Sequence, residues 1–147
     1  MKKKIAILGS TGSIGKTLID IIKKDKDNFE VILLSAEKNY KELLKQAKLL
    51  SVKNLILTNH DSFLKIKKYD YSKKIKIYNN FNQFKKIFKT KIDYTMSSIT
   101  GIDGLKPTLD IIKYSKKIAI ANKEAIICGW DLIQKELKKK QNWIHSS

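Results

Sequence analysis

The chain has 147 residues, of which 42% are hydrophobic and 31% charged, and its formal net charge at pH 7 is +17. This size and apolar content fit one globular domain, and the sequence contains no apolar run of about 18 residues, which a membrane helix would need. The single cysteine, Cys128, excludes an intrachain disulfide and a cysteine metal cluster, and we expect it to pack in the core. We expect a cytoplasmic protein, because a glycine motif begins too close to Met1 to leave room for a signal peptide.

The basic charge first suggests nucleic-acid binding. However, all 31 basic residues are lysines, spread over the whole chain in pairs and triplets, whereas arginine is the better bidentate reader of phosphates and bases. We therefore expect a solvated lysine surface and no specific nucleic-acid partner. The non-enzyme alternative is a basic RNA-binding module, which would remain bound to polyanions at moderate salt.

The first predicted element is a buried strand over 5–8, and a glycine-rich turn follows it at once. The turn runs from Gly9 to Gly15 with the spacing G-x-x-G-x-x-G and leads into an amphipathic run over 16–24. Glycines let the backbone approach a phosphate, and the free N–H groups of a helix start point toward it. Thr11 and Ser13 add hydroxyl donors, and Ser13 can also cap the helix. Because the motif directly follows a strand, we interpret it as a dinucleotide-binding turn rather than an ordinary tight turn.

The amphipathic run predicts a helix that packs on a sheet through one apolar stripe, formed by Ile14, Leu18, Ile21 and Ile22. The largely apolar run 29–36 predicts a second strand, buried on both faces. Strand, helix and strand form a βαβ unit, whose crossover is right-handed and whose strands are parallel.

The stretch Glu37-Lys38-Asn39 ends the second strand, where the residue that contacts the adenosine ribose is expected, about 20 residues past the glycines. Glu37 by itself favours a free 2′-hydroxyl, hence NAD, whereas Lys38 by itself favours a 2′-phosphate, hence NADP. Alternatively, Asn39 simply caps the next helix. That helix has an apolar face formed by Tyr40, Leu43, Leu44, Ala47 and Leu50.

The remaining sequence continues the alternation of short strands and helices. Strands are predicted at 55–58, 75–78, 94–99 and 117–121. Helices are predicted through Phe63 and Leu64, through the face Phe81, Phe84, Ile87 and Phe88, and over 105–115 with Pro107 in the first turn. The pattern predicts a three-layer α/β, Rossmann-like doubly wound fold with a mainly parallel sheet of about six or seven strands. His60 is isolated in a predicted turn, and we expect it to be solvated.

A polar cluster, Asn122-Lys123-Glu124, follows the strand at 117–121. Ligands bind at the carboxyl ends of parallel strands in doubly wound sheets, so these three residues form a candidate site. The alternative is helix capping by Asn122, with Glu124 favoured near the positive start of the helix.

Taken together, these motifs resemble the amino-terminal domain of the 1-deoxy-D-xylulose 5-phosphate reductoisomerase family. The resemblance runs from about Lys3 to Leu137 and rests on the stretches 8–15, 38–39, 101–108 and 121–124. It implies NADPH as the cofactor, with Thr11, Gly12, Ser13 and Ile14 at the diphosphate, Lys38 and Asn39 at the adenosine 2′-phosphate, and Asn122 and Glu124 elsewhere on the cofactor. It also implies that Lys123 contacts the substrate, and it assigns no catalytic residue and no metal ligand to this chain.

The resemblance further implies an oxidoreductase of the methylerythritol phosphate route to isoprenoids. Family members bind 1-deoxy-D-xylulose 5-phosphate through a divalent ion, Mg or Mn, then rearrange it and reduce it with NADPH to 2-C-methyl-D-erythritol 4-phosphate. The sequence departs from the family in two places. Glu37 stands where the family usually has glycine, and a carboxylate beside a 2′-phosphate would repel it. The family's Asp-Ser-Glu metal motif is absent from the segment 141–147.

We therefore expect an NADPH-binding domain over 1–140 and a divergent, frayed tail over 141–147, in which His145 is not a ligand. The family's catalytic and carboxyl-terminal domains supply the metal ligands and most of its homodimer interface. We expect them to be absent from this chain, which would then be a truncated member, inactive alone.

The glycine spacing also leaves a second enzyme class open, because short-chain reductases and sugar-nucleotide epimerases share it. Their Tyr-x-x-x-Lys pair has a counterpart in Tyr69 and Lys73. With six tyrosines and 31 lysines in the chain, about one such pair is expected by chance, so the pair carries little weight.

Overall fold

The computed structural model describes residues 1–69, 74–140 and 143–146, and the side chains of Glu124, Ala125, Cys128, Lys140 and 143–146 lie outside its description. Strands and helices alternate along these ranges. The strands are β1 (Lys3–Leu8), β2 (Phe29–Ala36), β3 (Asn54–Leu57), β4 (Lys76–Tyr78), β5 (Ile92–Ser97), β6 (Ser115–Ile120) and β7 (Trp143–Ser146). The helices are α1 (Ser13–Lys23), α2 (Tyr40–Leu50), α3 (His60–Ile66), α4 (Phe84–Ile87), α5 (Leu105–Ile112) and α6 (Lys123–Lys140).

The strands form one sheet in the order β4-β3-β2-β1-β5-β6-β7, and all the pairs of neighbours are parallel. The chain winds outward from β1 to β4, crosses back to β5 on the other side of β1, and then winds outward to β7. The strand order therefore reverses between β1 and β5, and doubly wound sheets bind ligands at the carboxyl ends of the strands at such a point. This topology confirms the predicted Rossmann-like α/β fold.

Two hydrophobic cores lie on opposite faces of the sheet. Along β1, Ile5 and Ile7 enter one core, while Ala6 and Leu8 enter the other, as the alternation of side chains in a strand requires. The first core is closed by α1, α2 and α3, and the second by α4, α5 and α6. Because right-handed crossovers in opposite directions place their helices on opposite faces, this winding produces the three predicted layers.

The buried face of α1 differs from the predicted stripe. Gly15, Ile19 and Ile22 are the buried residues of this helix, whereas Ile14 is 46% and Ile21 59% exposed. The helix is rotated so that Gly15 lies against the turn, where an added Cβ would come within 2.4 Å of the Gly9 carbonyl oxygen. A glycine contributes nothing to a hydrophobic pattern, so the pattern alone placed the stripe one residue off.

Several boundaries also differ from prediction. The helix predicted over 105–115 ends at Ile112, and Ser115 begins β6, where its hydroxyl donates to the Ile111 carbonyl oxygen at 3.0 Å. Trp143–Ser146 forms β7 beside β6, where the sequence predicts a frayed tail. Within the described residues, no helix has both the length and the hydrophobicity needed to cross a bilayer.

Candidate dinucleotide site

The glycine turn lies at the carboxyl end of β1, between the ends of β2 and β5. Gly9 has a φ of +78°, and a Cβ at this position would lie 2.9 Å from the main chain of Ser98. Both the left-handed backbone and the close approach require glycine here.

Polar groups from the neighbouring strands hold the turn in place. At the end of β2, the Ser35 carbonyl oxygen accepts hydrogen bonds from the N–H groups of Gly9 and Ser10, at 3.1 and 2.8 Å. The Ser35 hydroxyl accepts from the same Gly9 N–H at 3.0 Å. After β5, the Ser98 hydroxyl lies 3.0 Å from the Gly9 carbonyl oxygen. The turn is therefore fixed from both sides before any ligand arrives.

Gln46 holds the turn from a third side, although it lies within the apolar face predicted for α2. It is 3% exposed, and its side-chain amide donates to the Ser10 carbonyl oxygen at 2.9 Å. Its Oε1 has no hydrogen-bond partner among the described residues. Burial of an amide is costly unless the amide is hydrogen-bonded, so the bond to Ser10 is what stabilises this placement and ties α2 to the turn.

The amino terminus of α1 carries no side-chain cap. Gly12 occupies the cap position, so the prediction that Ser13 caps the helix is wrong, and Ser13 is instead the exposed first helical residue. By contrast, the side-chain oxygens of Asn39 and Asn59 accept main-chain N–H groups at the starts of α2 and α3. The first N–H groups of α1 are thus left for an external anion, which the positive end of the helix dipole also favours.

Two adjoining cavities flank this helix start. The larger, of about 480 Å³, is lined by residues that include Thr11, Ser35, Glu37, Thr58 and Phe81. The smaller, of about 250 Å³, is lined by residues that include Ser13, Ile14, Gly101, Ala121 and Asn122. Gly12 and 98–100 line both cavities. An elongated ligand can therefore extend from one cavity to the other across the start of α1.

The stretch after β2 contains the cap of α2, which is one of the two roles that the sequence left as alternatives for Asn39. The Asn39 side chain accepts a hydrogen bond from the Glu42 N–H at 3.2 Å, which confirms it as the cap of α2. Lys38 and Asn39 are both exposed and stand directly after Glu37, at the edge of the larger cavity. Capping of α2 and contact with a ligand are therefore compatible here.

Asn122 braces the smaller cavity. It is 4% exposed, and its side-chain amide donates to the carbonyl oxygens of Ile99 and Gly101. Gly101 has a φ of +76°, which glycine adopts without strain. The main-chain oxygen of Asn122 accepts from the Ile126 N–H at 3.2 Å in the first turn of α6. Asn122 thus joins the loop after β5 to the start of α6.

A pair of buried hydroxyls supports the same loop from below. Ser97, the last residue of β5, lies 2.7 Å from Thr108 of α5, oxygen to oxygen. The Thr108 hydroxyl also donates to the Gly104 carbonyl oxygen. These bonds fix α5 against the end of β5, so that the loop between them has a rigid base.

The structure brings most of the predicted cofactor residues together around the two cavities. Thr11, Gly12, Ser13, Ile14 and Asn122 line them. Lys123 is the exposed first residue of α6, next to Asn122, while the Glu124 side chain lies outside the described residues. Sequence reasoning missed Ser35, Gln46 and Ser98, because each acts on main-chain atoms far away along the chain.

The Tyr69–Lys73 pair is not located by the structure, since Lys73 lies outside the described residues. The Tyr69 ring packs against the Tyr40 ring, with 6.2 Å between the centroids. This contact lies at the amino end of α2.

A further cavity, of about 510 Å³, lies away from the glycine turn, against the sheet. Its walls are mainly aliphatic and include Leu18, Ile21 and Met96, with Lys116 and Lys117 among its lining residues. Such walls offer few hydrogen bonds to a dinucleotide. We therefore assign the candidate site to the two cavities at the turn, which carry N–H and hydroxyl donors.

The described residues contain no cluster of three His, Cys, Asp or Glu side chains that could hold a metal ion. These residues therefore do not offer the set of ligands that a resident divalent cation needs.

The strand order reverses between β1 and β5, and the glycine turn and the uncapped start of α1 lie at that reversal. These features are typical of the Rossmann-like α/β domains that bind dinucleotides. Comparison with known proteins narrows this class. The model of the 1-deoxy-D-xylulose 5-phosphate reductoisomerase family matches residues 5–129, and the chain belongs to that family.

Individual relatives agree with this assignment. The 1-deoxy-D-xylulose 5-phosphate reductoisomerase of Pelagibacter ubique is 59% identical over 96% of this chain and 37% of its own length. The solved Zymomonas mobilis reductoisomerase in complex with NADPH is 26% identical, has a TM-score of 0.89, and is matched over 99% of this chain and 38% of its own. A further reductoisomerase structure, in complex with NADPH, fosmidomycin and magnesium, is 25% identical with a TM-score of 0.87, covering 98% of this chain and 36% of its own. The chain thus spans little more than a third of the length of these relatives.

Proposed function

We propose that this chain is the NADPH-binding part of a 1-deoxy-D-xylulose 5-phosphate reductoisomerase. The whole enzyme would rearrange and reduce 1-deoxy-D-xylulose 5-phosphate to 2-C-methyl-D-erythritol 4-phosphate in the cytoplasm. We assign the cofactor domain to residues 1–140 together with β7, which extends the same sheet beside β6, and we do not assign this chain the metal-dependent rearrangement. The observation that carries the proposal is the uncapped start of α1, which lies where the strand order reverses and has a cavity on each side.

The diphosphate of NADPH would lie at this helix start, between the two cavities. There the main-chain N–H groups of Ser13 and Ile14 and the hydroxyls of Thr11 and Ser13 would donate to its oxygens. The Gly12 N–H already donates to the Gly9 carbonyl oxygen at 3.4 Å. The donors cost little to organise on binding, because Ser35, Ser98 and Gln46 already hold the turn.

The adenosine half would occupy the larger cavity, with its 2′-phosphate at Lys38 and Asn39. The nicotinamide half would occupy the smaller cavity, against Ile14 and near Asn122 and Glu124. NADPH supplies a hydride when bound, and the chain's part is to orient the ring and to exclude water from one of its faces. Asn122 would also help to orient the ring indirectly, because its side chain fixes the loop that forms the cavity wall.

Lys123 would contact the substrate. A cation in the first turn of a helix is disfavoured by the helix dipole, by about 0.3–1 kcal/mol for an exposed residue, and Lys123 is the first residue of α6. An anionic substrate group beside Lys123 would offset this cost, because both the ammonium and the positive end of the helix dipole would attract it. The ammonium could then stabilise negative charge that develops on a substrate oxygen.

Calorimetric titration with NADPH, together with the change in melting temperature, tests the proposal, because a ligand that binds only the folded state raises that temperature. Thr11→Val and Lys38→Ala should each weaken NADPH binding about tenfold, through loss of a charge-assisted hydrogen bond and of an ion pair. Thr90→Val and Lys24→Ala are matched controls at exposed positions away from the turn. No response of the wild-type chain to NADPH or NADH would refute the proposed function.

A further inference from the structure

Glu37 is held at a defined point on the rim of the larger cavity. Its carbonyl oxygen accepts from the Asn59 N–H at 2.9 Å, and the Ala36 carbonyl oxygen accepts from the Thr58 N–H at 3.2 Å. These two bonds tie the chain at the end of β2 and just past it to the segment that follows β3. The exposed Glu37 lines the larger cavity together with Ser35 and Ala36, the last two residues of β2.

No hydrogen bond or ion pair engages the Glu37 carboxylate within the part of the chain that the structure describes. It stands 22 positions after Gly15, where doubly wound dinucleotide domains place the acidic residue that contacts the ribose. A carboxylate at this position accepts hydrogen bonds from a free 2′-hydroxyl and repels a 2′-phosphate.

Lys38 presents the opposite chemistry at the next position. It is exposed, and its carbonyl oxygen accepts from the Tyr40 N–H at 2.7 Å, which fixes its main chain. Lys38 directly follows Glu37 in the bend after β2, so an ammonium and a carboxylate stand next to each other at this rim. The rim therefore offers one partner for a hydroxyl and one for a phosphate.

We propose that Glu37 is a specificity-determining residue that admits NADH to this site alongside NADPH. The inference rests on the proposed function, since it requires that the adenosine ribose lie at this rim. Glu37 accepts the hydrogen bond of the 2′-hydroxyl of NADH, and Lys38 pairs with the 2′-phosphate of NADPH. The dissociation constants of the two nucleotides are consequently closer together than Lys38 alone would make them.

The test compares NADPH and NADH binding to the wild-type chain and to Glu37→Gln by isothermal titration calorimetry. Removal of the negative charge should tighten NADPH about tenfold and weaken NADH about threefold to tenfold. Glu30→Gln is the matched control: it makes the same change at an exposed position of the same strand, about 23 Å away at 3.3 Å per residue. It should leave both constants within about twofold. Lys38→Met should weaken NADPH and leave NADH nearly unchanged.

Adenosine 2′,5′-bisphosphate and 5′-AMP isolate the 2′ position from the rest of the cofactor. The preference for the bisphosphate over 5′-AMP should increase about tenfold in Glu37→Gln, and this increase should shrink with added salt. An NADPH-to-NADH ratio that Glu37→Gln changes by less than twofold would overturn the inference while leaving the proposed function intact. Failure of the wild-type chain to bind either nucleotide would overturn both.

Discussion

Gly12 and Gly15 belong to one sequence motif, yet the structure predicts very different effects for alanine at the two positions. A Cβ on Gly15 would lie 2.4 Å from the Gly9 carbonyl oxygen and 2.6 Å from the main chain of Ser10. These are main-chain atoms that Ser35 and Gln46 hold in place, so they cannot move away cheaply. A Cβ on Gly12 would meet no atom closer than 3.7 Å.

The expected magnitudes follow from these distances. Overpacking of a rigid site costs about 1–3 kcal/mol, and the contacts at Gly15 place it at the upper end. For 147 residues, with an unfolding entropy of about 2.1 cal/mol/K per residue, a loss of about 3 kcal/mol lowers the melting temperature by about 10 °C. Gly12 has a φ of −76° and a ψ of 176°, which alanine adopts freely. Alanine there removes about 0.4–1 kcal/mol of unfolded-state entropy. Because alanine is less favourable than glycine at a helix cap position, the net change in stability should stay within about 1 kcal/mol.

Ligand binding should separate the two variants further. Gly12 lines both cavities, so a methyl group there occupies the space that we assign to the diphosphate. Gly12→Ala should therefore melt within about 3 °C of the wild type and bind NADPH at least about tenfold more weakly. Thermal unfolding followed by circular dichroism, with NADPH titration of each folded variant, measures both effects. A Gly15→Ala melting temperature within about 3 °C of wild type, or equal losses in the two variants, would refute the steric reasoning.

Two further predictions concern polar contacts. Gln46→Leu removes the bond to the Ser10 carbonyl oxygen together with a buried oxygen that has no partner among the described residues. We expect the free energy of unfolding to change by less than about 1 kcal/mol and the NADPH dissociation constant to rise about threefold to tenfold. An unchanged dissociation constant would show that the hydrogen bond from Gln46 is not needed to keep the turn ready for NADPH. At the opposite end of the sheet, the Lys4 main-chain N–H and the Lys116 ammonium hold the pKa of Asp93 below its ordinary value of 3.8. The stabilisation is thus fully present above pH 3.8 and is lost as the pH falls through the lower folded-state pKa. In urea titrations Asp93→Asn should be less stable than wild type at neutral pH, and the gap should close in acid; a gap that persists unchanged would contradict this assignment.

Much of the local structure was predictable because it depends on short-range patterns. β2 and α2 occupy the predicted ranges, Phe29–Ala36 and Tyr40–Leu50, since a run buried on both faces and a capped amphipathic stripe are both complete within a few residues. The position of the glycine turn was predictable for the same reason.

The contacts that shape the site were not predictable in this way. The Ser98 hydroxyl acts on main-chain atoms 89 and 90 positions away, and Gln46 acts on a carbonyl oxygen 36 positions away. Every residue has a main-chain carbonyl oxygen, so the sequence does not indicate which residue a serine or glutamine side chain will bond to in this way. The buried face of α1 was predicted one residue off for a related reason. Gly15 has no side chain, so it adds nothing to the hydrophobic pattern from which that face was predicted.

The winding of the sheet has a practical consequence for work on this chain. α1, α2 and α3 close the core over one half of the sheet, and the aliphatic cavity beside β5 and β6 lies next to α1 on that same face. Its walls include Leu18, Ile21 and Met96. Apolar dyes bind to such a surface, so we expect them to fluoresce in the presence of the native chain before any heating. Dye fluorescence would then report binding to this cavity rather than unfolding. Melting curves of the chain are therefore better recorded by circular dichroism of its backbone.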